Sequence, residues 1–376
     1  MGFGEVSAPD AASEGEADSQ FGYRTVAATV DGSPRFVVAA PSVLTDGPSA
    51  VYLWNGVDAP SSMVEAESDA ERLGFRLARA GDRDGDGSDE VIVASGFSSL
   101  AVFDIGHAAV RFEITGHALP YASEGIATSN PGGESADFLA VADHPSARVF
   151  FFDTELESDV STSEADGVLS TEPHEIGSRI DVQACGDLDG DGRSEMTVSR
   201  ADLGLRWVVA DWARDFATAD DAGVKLEWEA PSPGSTPSEG AAAVGGVNRD
   251  GLGDLAVAVP STSDVEIWSG AAFRDGDTDP AKGRIASLSG DGLDVRGFWR
   301  LAALGDLDGD GTLELGATDV DWAFPEAHRA WVVYGPFTEG TDDLAERGRA
   351  FEGAEDGDGV GAGMDPRTSM ATTRWT

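Results

Sequence analysis

The chain has 376 residues, and 69 Asp and Glu against 25 Lys and Arg give it a formal net charge of −44. That charge excludes nucleic acid and anionic membrane surfaces as partners, because both need a basic face to dock on. A hydrophobic share of 41% with 9 Trp excludes a disordered acidic tail and predicts a folded core.

No apolar run reaches the ~18 residues that a membrane span requires, so no membrane insertion is expected. The opening MGFGEVSAPDAASEGEADSQ shows no basic patch followed by an apolar stretch, so no leader is read from it. The single cysteine, Cys185, excludes an internal disulfide framework and a Cys-based zinc cluster, and it reads as a small buried apolar residue. Only Lys225 and Lys282 are lysines. This Lys-poor, acid-rich, Gly-rich composition fits a high-salt habitat and equally a GC-rich genome.

In chain order, residues 1–20 read as an N-terminal segment, and residues 21–376 as an array of repeats. The repeats fall near 21–72, 73–123, 124–175, 176–238, 239–295 and 296–350, with a partial one at 351–376. Each opens on a Gly: Gly22, Gly74, Gly125, Gly177, Gly240 and Gly297, spaced by 52, 51, 52, 63 and 57 residues. A short apolar stretch follows, then an acidic Gly-rich loop, then a second apolar stretch. LGFRLARAGDRDGDGSDEVIVAS (73–95) and RGFWRLAALGDLDGDGTLELGATD (296–319) show the pattern plainly.

A third element follows at a similar offset: AVYLWNG (50–56), LAVFDIG (100–106), ARVFFFD (147–153), LRWVVADW (205–212), DVEIWSG (264–270) and RAWVVYG (329–335). These runs are short, β-branched and aromatic, and they predict strands. GRIASL (283–288) and GRAFEG (348–353) predict a fourth, weaker strand. No unit shows a 3.6-residue apolar period over ten or more residues, which excludes a helical solenoid.

Four short strands per unit predict an all-β fold, a β-propeller of four-stranded blades. Seven blades are expected, the last begun at Gly359 and completed by GEVSAP (4–9), so that no edge stays open. Six complete blades with two tails is the alternative. The segments 154–175 and 213–239 read as long polar insertions, where a rigid scaffold places binding residues or leaves plain solvated loops.

Three loops repeat one spacing. DRDGDGSDE (82–90) sets Asp82, Asp84, Asp86 and Glu90 at positions 1, 3, 5 and 9. DLDGDGRSE (187–195) does so with Asp187, Asp189, Asp191 and Glu195, and DLDGDGTLE (306–314) with Asp306, Asp308, Asp310 and Glu314. Gly at positions 4 and 6 lets the chain curl until alternate carboxylates converge. Position 7 then offers a backbone carbonyl, at Ser88, Arg193 or Thr312.

Hard oxygen ligands without Cys or His point to Ca²⁺. An acidic solvated turn is the plain alternative, but it does not explain four acids at fixed positions three times in register. An EF-hand needs a Glu at position 12 between helices, and here position 12 is Val93, Val198 or Ala317 within strand-like sequence. Three strong calcium sites are therefore expected in β-hairpin turns.

Copy five, GVNRDGLGD (246–254), keeps Asn248, Asp250 and Asp254 but has Gly246 at position 1, which predicts a fourth, weak site. Copy one has Asp31-Gly32 with Arg35 at position 9, so that Arg35 is read as holding the turn in place of a metal. Copy three retains little beyond Asp137 and predicts no ion.

These residues resemble the FG-GAP repeat, as in the propeller of the integrin α chain. The likeness rests on Phe21-Gly22, Gly74-Phe75 and Gly297-Phe298, on the D-x-D-G-D-G loops, and on the strand endings Ala40-Pro41 and Val259-Pro260. It covers about residues 21–352. It implies seven blades, calcium loops between the first two strands on one face, and ligand binding on the opposite face. It also implies a secreted or cell-surface setting and a role in adhesion. The chain departs from integrin α chains in its single Cys, in lacking Asn-x-Ser/Thr, and in closing each loop with Glu where Asp is usual. A prokaryotic secreted or surface protein is the better likeness.

No catalytic constellation is read. His107, His117, His144, His174 and His328 share no spacing, and Cys185 has no evident base. Trp54, Trp207, Trp268, Trp299 and Trp331 fall within strands and predict inter-blade packing, whereas Trp212, Trp228 and Trp322 are the better surface candidates. The expected function is a non-catalytic, calcium-binding interaction or adhesion module with a protein or carbohydrate ligand. A propeller enzyme or accessory domain acting on extracellular polysaccharide is one alternative. A purely structural repeat in a surface assembly is the other.

Overall fold

The computed structural model describes residues 24–40, 49–55, 61–65, 73–74, 76–95, 99–116, 125–128, 138–143, 146–153, 158–171, 180–210, 216, 218–231, 240–262, 264–276, 279–290, 300–318, 329–337 and 340–352. They form two compact units, Met1–Gly116 with Glu157–Val160, and His117–Leu156 with Ser161–Thr376.

The first unit holds two sheets. Arg24–Val30, Ser33–Ala40, Ala50–Trp54 and Ser61–Glu65 make the first, in sequence order. Leu77–Gly81, Glu90–Ser95, Ser99–Asp104 and Ala109–Thr115 make the second, with the short strand Val160–Ser161 added at its outer edge. Val37, Val51, Leu77, Val91, Val93 and Phe103 pack between these two sheets.

The second unit holds four sheets. Ile126–Thr128, Phe138–Asp143, Arg148–Asp153 and Gly167–Ser170 make the third, and Asp181–Gly186, Glu195–Arg200, Leu205–Val209 and Gly223–Glu227 the fourth. The fifth is Ala241–Gly245, Asp254–Ala258, Val265–Trp268 and Arg284–Ser289, with Gly340–Asp343 added in parallel to its last strand. The sixth is Arg300–Gly305, Glu314–Thr318, Arg329–Val333 and Gly348–Glu352. Trp207 packs between sheets three and four, Trp268 between four and five, and Trp331 between five and six. These three strand tryptophans thus serve packing, each burying area worth several kcal/mol, whereas Trp54 is half-buried against Phe36 of its own sheet and Trp299 lies outside the described residues.

The gradient across a sheet follows from sequence. Second strands such as Asp254–Ala258 are buried on both faces and read as continuous apolar runs. Fourth strands such as Ala109–Thr115 bury only Phe112 and Ile114 and otherwise face solvent. The polar insertions expected as loops also supply strands: Gly167–Ser170 and Gly223–Glu227 are the fourth strands of sheets three and four.

The described strands make six blades, the alternative count, rather than seven. Residues 4–9 and 353–376, assigned to the closing blade, lie outside the described residues. Among the described residues no helix is long and apolar enough to cross a membrane.

Candidate metal centres

Each acidic loop joins the first two strands of its sheet, as a hairpin and not as a helix–loop–helix. The turn starts on a glycine that precedes position 1. Gly81, Gly186, Gly245 and Gly305 have φ of 77°, 68°, 66° and 80°, and each coincides with a register shift in the ladder. A left-handed residue at such a bulge bends the strand out of plane and begins the curl. This glycine was missed in the sequence reading, although its signal, Gly directly before the first Asp, stands in all three full motifs.

The carboxylates then organise the loop backbone. Gly190 N and Gly192 N donate to the two oxygens of Asp187, at 2.6 and 3.0 Å. Gly309 N and Gly311 N donate likewise to Asp306, at 2.6 and 3.0 Å. Gly85 N and Gly87 N donate to Asp82, at 2.8 and 3.0 Å. The third carboxylate accepts from the residue at position 7: Asp86 from Ser88 N, Asp191 from Arg193 N and Asp310 from Thr312 N. The Thr312 hydroxyl also donates to Asp310, which holds that carboxyl below its usual range.

The closing acid is the buried member. Glu90 and Glu195 are each 1% exposed, and Glu314 and Asp254 are 0% exposed. Glu195 Oε2 accepts from Leu188 N at 2.5 Å and Asp189 N at 3.3 Å, while Glu195 Oε1 is buried with no hydrogen-bond partner. Glu314 repeats this, with Oε2 accepting from Leu307 N at 2.5 Å and Oε1 buried without a hydrogen bond.

Burial pushes the Glu195 carboxyl up to about 8, and Asp189 and Asp187 nearby raise it further against the Leu188 and Asp189 N–H groups. Burial raises Glu314 too, with Asp308 and Asp306 adding to the effect against the Leu307 and Gly335 N–H groups. Ligand oxygens of Asp187, Asp189 and Glu195 lie within 4.8 Å of one another, as do those of Asp306, Asp308 and Glu314. A hard cation fits both places: it would meet the orphaned oxygen and cancel the carboxylate repulsion.

The other loops differ. In the second sheet the structure brings Asp82, Asp84 and Asp86 together, and also Asp84, Glu90 and Asp104. Here Glu90 Oε1 is engaged by Arg111 Nη1 at 3.1 Å, while Arg83 N donates to Oε2 at 2.7 Å. Burial still raises the Glu90 carboxyl against both of these partners. Asp89, at position 8, had no role in the sequence reading. It is 1% exposed, and its two oxygens accept from Arg79 Nε and Nη2, at 2.7 and 2.8 Å. Ser88 Oγ accepts from Asp31 N, so this loop also anchors the first hairpin.

In the fifth sheet, Arg249 takes φ of 62° at position 4 and Gly251 takes 90° at position 6, so the loop keeps the same path. Its acids are answered from within the chain. Asp254 Oδ1 accepts from Gly270 N at 3.1 Å and Oδ2 from Val247 N at 2.6 Å. Asn248 Nδ2 donates to Asp250 Oδ2 and to Ser269 Oγ, both at 3.0 Å. The Asn248 amide thus turns a donor toward Asp250, where a metal site would need an oxygen.

Copy one is a two-residue turn through Asp31 and Gly32, with φ of 49° and 69°, and Arg35 donates to Pro34 O. Among the described residues no carboxylate is paired with Arg35, and the left-handed turn through Asp31 and Gly32 is of the kind that closes a hairpin without a cation. Asp137 lies outside the described residues.

Of the expected surface tryptophans, Trp228 donates its indole N–H to Glu266 at 3.0 Å, and Trp212 and Trp322 lie outside the described residues. Cys185 is buried, and burial pushes its thiol up to about 12, which suits an inert packing residue. Of the histidines only His107 is described. Its Nδ1 lies 2.8 Å from Asp104 Oδ2, and that contact raises its basicity.

The six meander sheets and their hairpin loops define the class: an all-β, six-bladed β-propeller. No family model matches the chain. No curated protein matches it either. Among solved structures, the chain is similar to BBS1N in complex with ARL6DN, soaked with mercury. That likeness has a TM-score of 0.50 and 12% identity and covers 84% of this chain and 82% of that one. It also matches a chain of the mitotic checkpoint complex, with a TM-score of 0.47 and 12% identity over 95% of this chain and 88% of that one. The C-terminal WD40 domain of Sif2 matches with a TM-score of 0.43 and 9% identity, over 82% and 66%. At 12% identity the likeness to BBS1N speaks for the fold alone.

Proposed function

We propose that the chain is a calcium-stabilised β-propeller serving as a non-catalytic interaction module of a secreted or cell-surface protein. One observation carries the metal reading: the buried Glu195 Oε1, without a hydrogen bond, stands beside Asp187 and Asp189. Asp187, Asp189, Asp191 and Glu195 would hold one ion, and Asp306, Asp308, Asp310 and Glu314 a second, with the Arg193 and Thr312 carbonyls completing them. Calcium when bound supplies two positive charges and a demand for six to eight oxygens. Extracellular modules bind it at ~10⁻⁴–10⁻³ M, which suits loops that are mostly solvent-exposed.

The interaction reading is supported by the fold and by charge. BBS1N, which shares the fold, is crystallised in complex with ARL6DN. A net charge of −44 favours a partner protein with a basic face and steers its approach. Isothermal titration of chelated protein tests the metal reading. Two calcium ions per chain are expected, with Asp189→Asn removing one and Asp308→Asn the other. A count of zero refutes it.

A further inference from the structure

The second acidic loop carries a cation of its own. Arg111 stands in the fourth strand of its sheet, Ala109–Thr115. Its Nη1 lies 2.7 Å from Asp84 Oδ2 and 3.1 Å from Glu90 Oε1. These are positions 3 and 9 of the loop, the same pair that converges with position 1 at Asp189–Glu195 and Asp308–Glu314. Where those loops keep a buried oxygen without a hydrogen bond, Glu90 has a guanidinium.

The backbone explains why this sheet differs from the other two that carry the full motif. Val102 pairs with Phe112 and Phe103 with Val110, so Arg111 is the extra residue of a bulge. In sheet four the matching pairs, Val208–Val224 and Val209–Gly223, are consecutive. In sheet six Val332–Arg349 and Val333–Gly348 are consecutive as well. Neither sheet has a residue in the place of Arg111. A bulge re-aims its side chain, and here the chain it re-aims is a cation that ends on the loop. The opposite side of the loop is met by His107 Nδ1, 3.4 Å from Asp86 Oδ2. A metal entering between Asp84 and Glu90 would have to displace a charge-assisted pair to a buried carboxylate.

We propose that Arg111 is an intrachain counter-cation that takes the metal's place in the loop 82–90, so that this blade is set without calcium while the loops 187–195 and 306–314 require it. The proposal rests on the calcium reading of those two loops. It is tested by titrating calcium into chelated wild-type chain, Arg111→Gln and Asp84→Asn. The wild type is expected to bind two ions, Arg111→Gln three, and Asp84→Asn still two. A wild-type count of three that falls to two in Asp84→Asn means that calcium displaces Arg111, and overturns the proposal. An Arg111→Gln variant with wild-type circular dichroism and no added site overturns it as well. A wild-type count of zero defeats the calcium reading instead, and one site gained by Arg111→Gln would still uphold the role of Arg111. Should Arg111→Gln fail to fold, Asp84→Asn decides alone, since an unchanged count upholds the proposal and a lost ion refutes it.

Discussion

Replacing Glu195 with Gln isolates the electrostatic cost that calcium is proposed to relieve. Glu195 is 1% exposed, and its carboxyl is pushed from 4.5 to about 8. A carboxyl whose folded pKa is raised binds its proton more tightly in the native state than in the unfolded one. Its contribution to stability is therefore fully present below about pH 4.5 and falls as pH rises toward 8. At ~1.4 kcal/mol per unit, the whole window amounts to on the order of 5 kcal/mol, an upper figure for a metal-free chain. Denaturant midpoints in chelator should fall steadily between pH 5 and 8. Calcium should flatten that slope, because the ion holds the carboxylate in its charged form and expels the proton. Glu195→Gln keeps an acceptor for the Leu188 N–H and removes the titration. In chelator at pH 8 the variant should be more stable than the wild type, and at pH 5 nearly equal to it. A variant less stable than the wild type in chelator at pH 8 would refute the argument, for then Glu195 would be stabilising as an anion without any ion to meet it.

Self-repulsion at a charge of −44 should make the melting temperature rise with NaCl even at saturating calcium, as the Debye length shrinks from ~30 Å at 0.01 M to ~3 Å at 1 M; a flat response in a calorimetric salt series would show the acids to be harmlessly dispersed. Glu266 accepts the indole N–H groups of Trp228 and Trp268 at 3.0 and 3.1 Å and pairs with Arg284 at 2.6 Å, so Glu266→Ala should cost on the order of 2–3 kcal/mol in urea unfolding while Glu266→Gln costs clearly less, and equal losses would mean that packing alone matters there.

The first three strands of each blade were legible because their signals are local. Apolar runs such as FLAVAD (138–143) and DLAVA (254–258) are bounded by Gly or Asp and buried on both faces. The loops were legible because metal-type spacing within nine residues is a matter of chain order. The fourth strands of sheets three and four were not, because GVLS and GVKLE are short and polar. An outer strand needs only its ladder partner and one buried face. Arg111 was illegible for a different reason. It lies 21 residues beyond Glu90, and only the bulge in its strand aims it back at the loop. The hydrogen bonds that Ser269 and Gly270 make to Asn248 and Asp254 were illegible as well, because these partners approach from a helix start elsewhere in the sequence.

The strand Gly340–Asp343 lies parallel to Arg284–Ser289, with Ala286 facing Gly340 and Ser289 facing Asp343. An outermost strand otherwise offers a free row of N–H and C=O groups, which is the template on which a second molecule adds its own strand. In the fifth blade that row is already engaged by the chain itself. The segment that engages it carries Asp342, which pairs with Arg347 at 2.9 Å, so the added strand is tied to the short helix that follows it. Any strand added at this side of the blade would therefore have to pair with the four residues Gly340–Asp343 and not with the six of Arg284–Ser289, which leaves a shorter template.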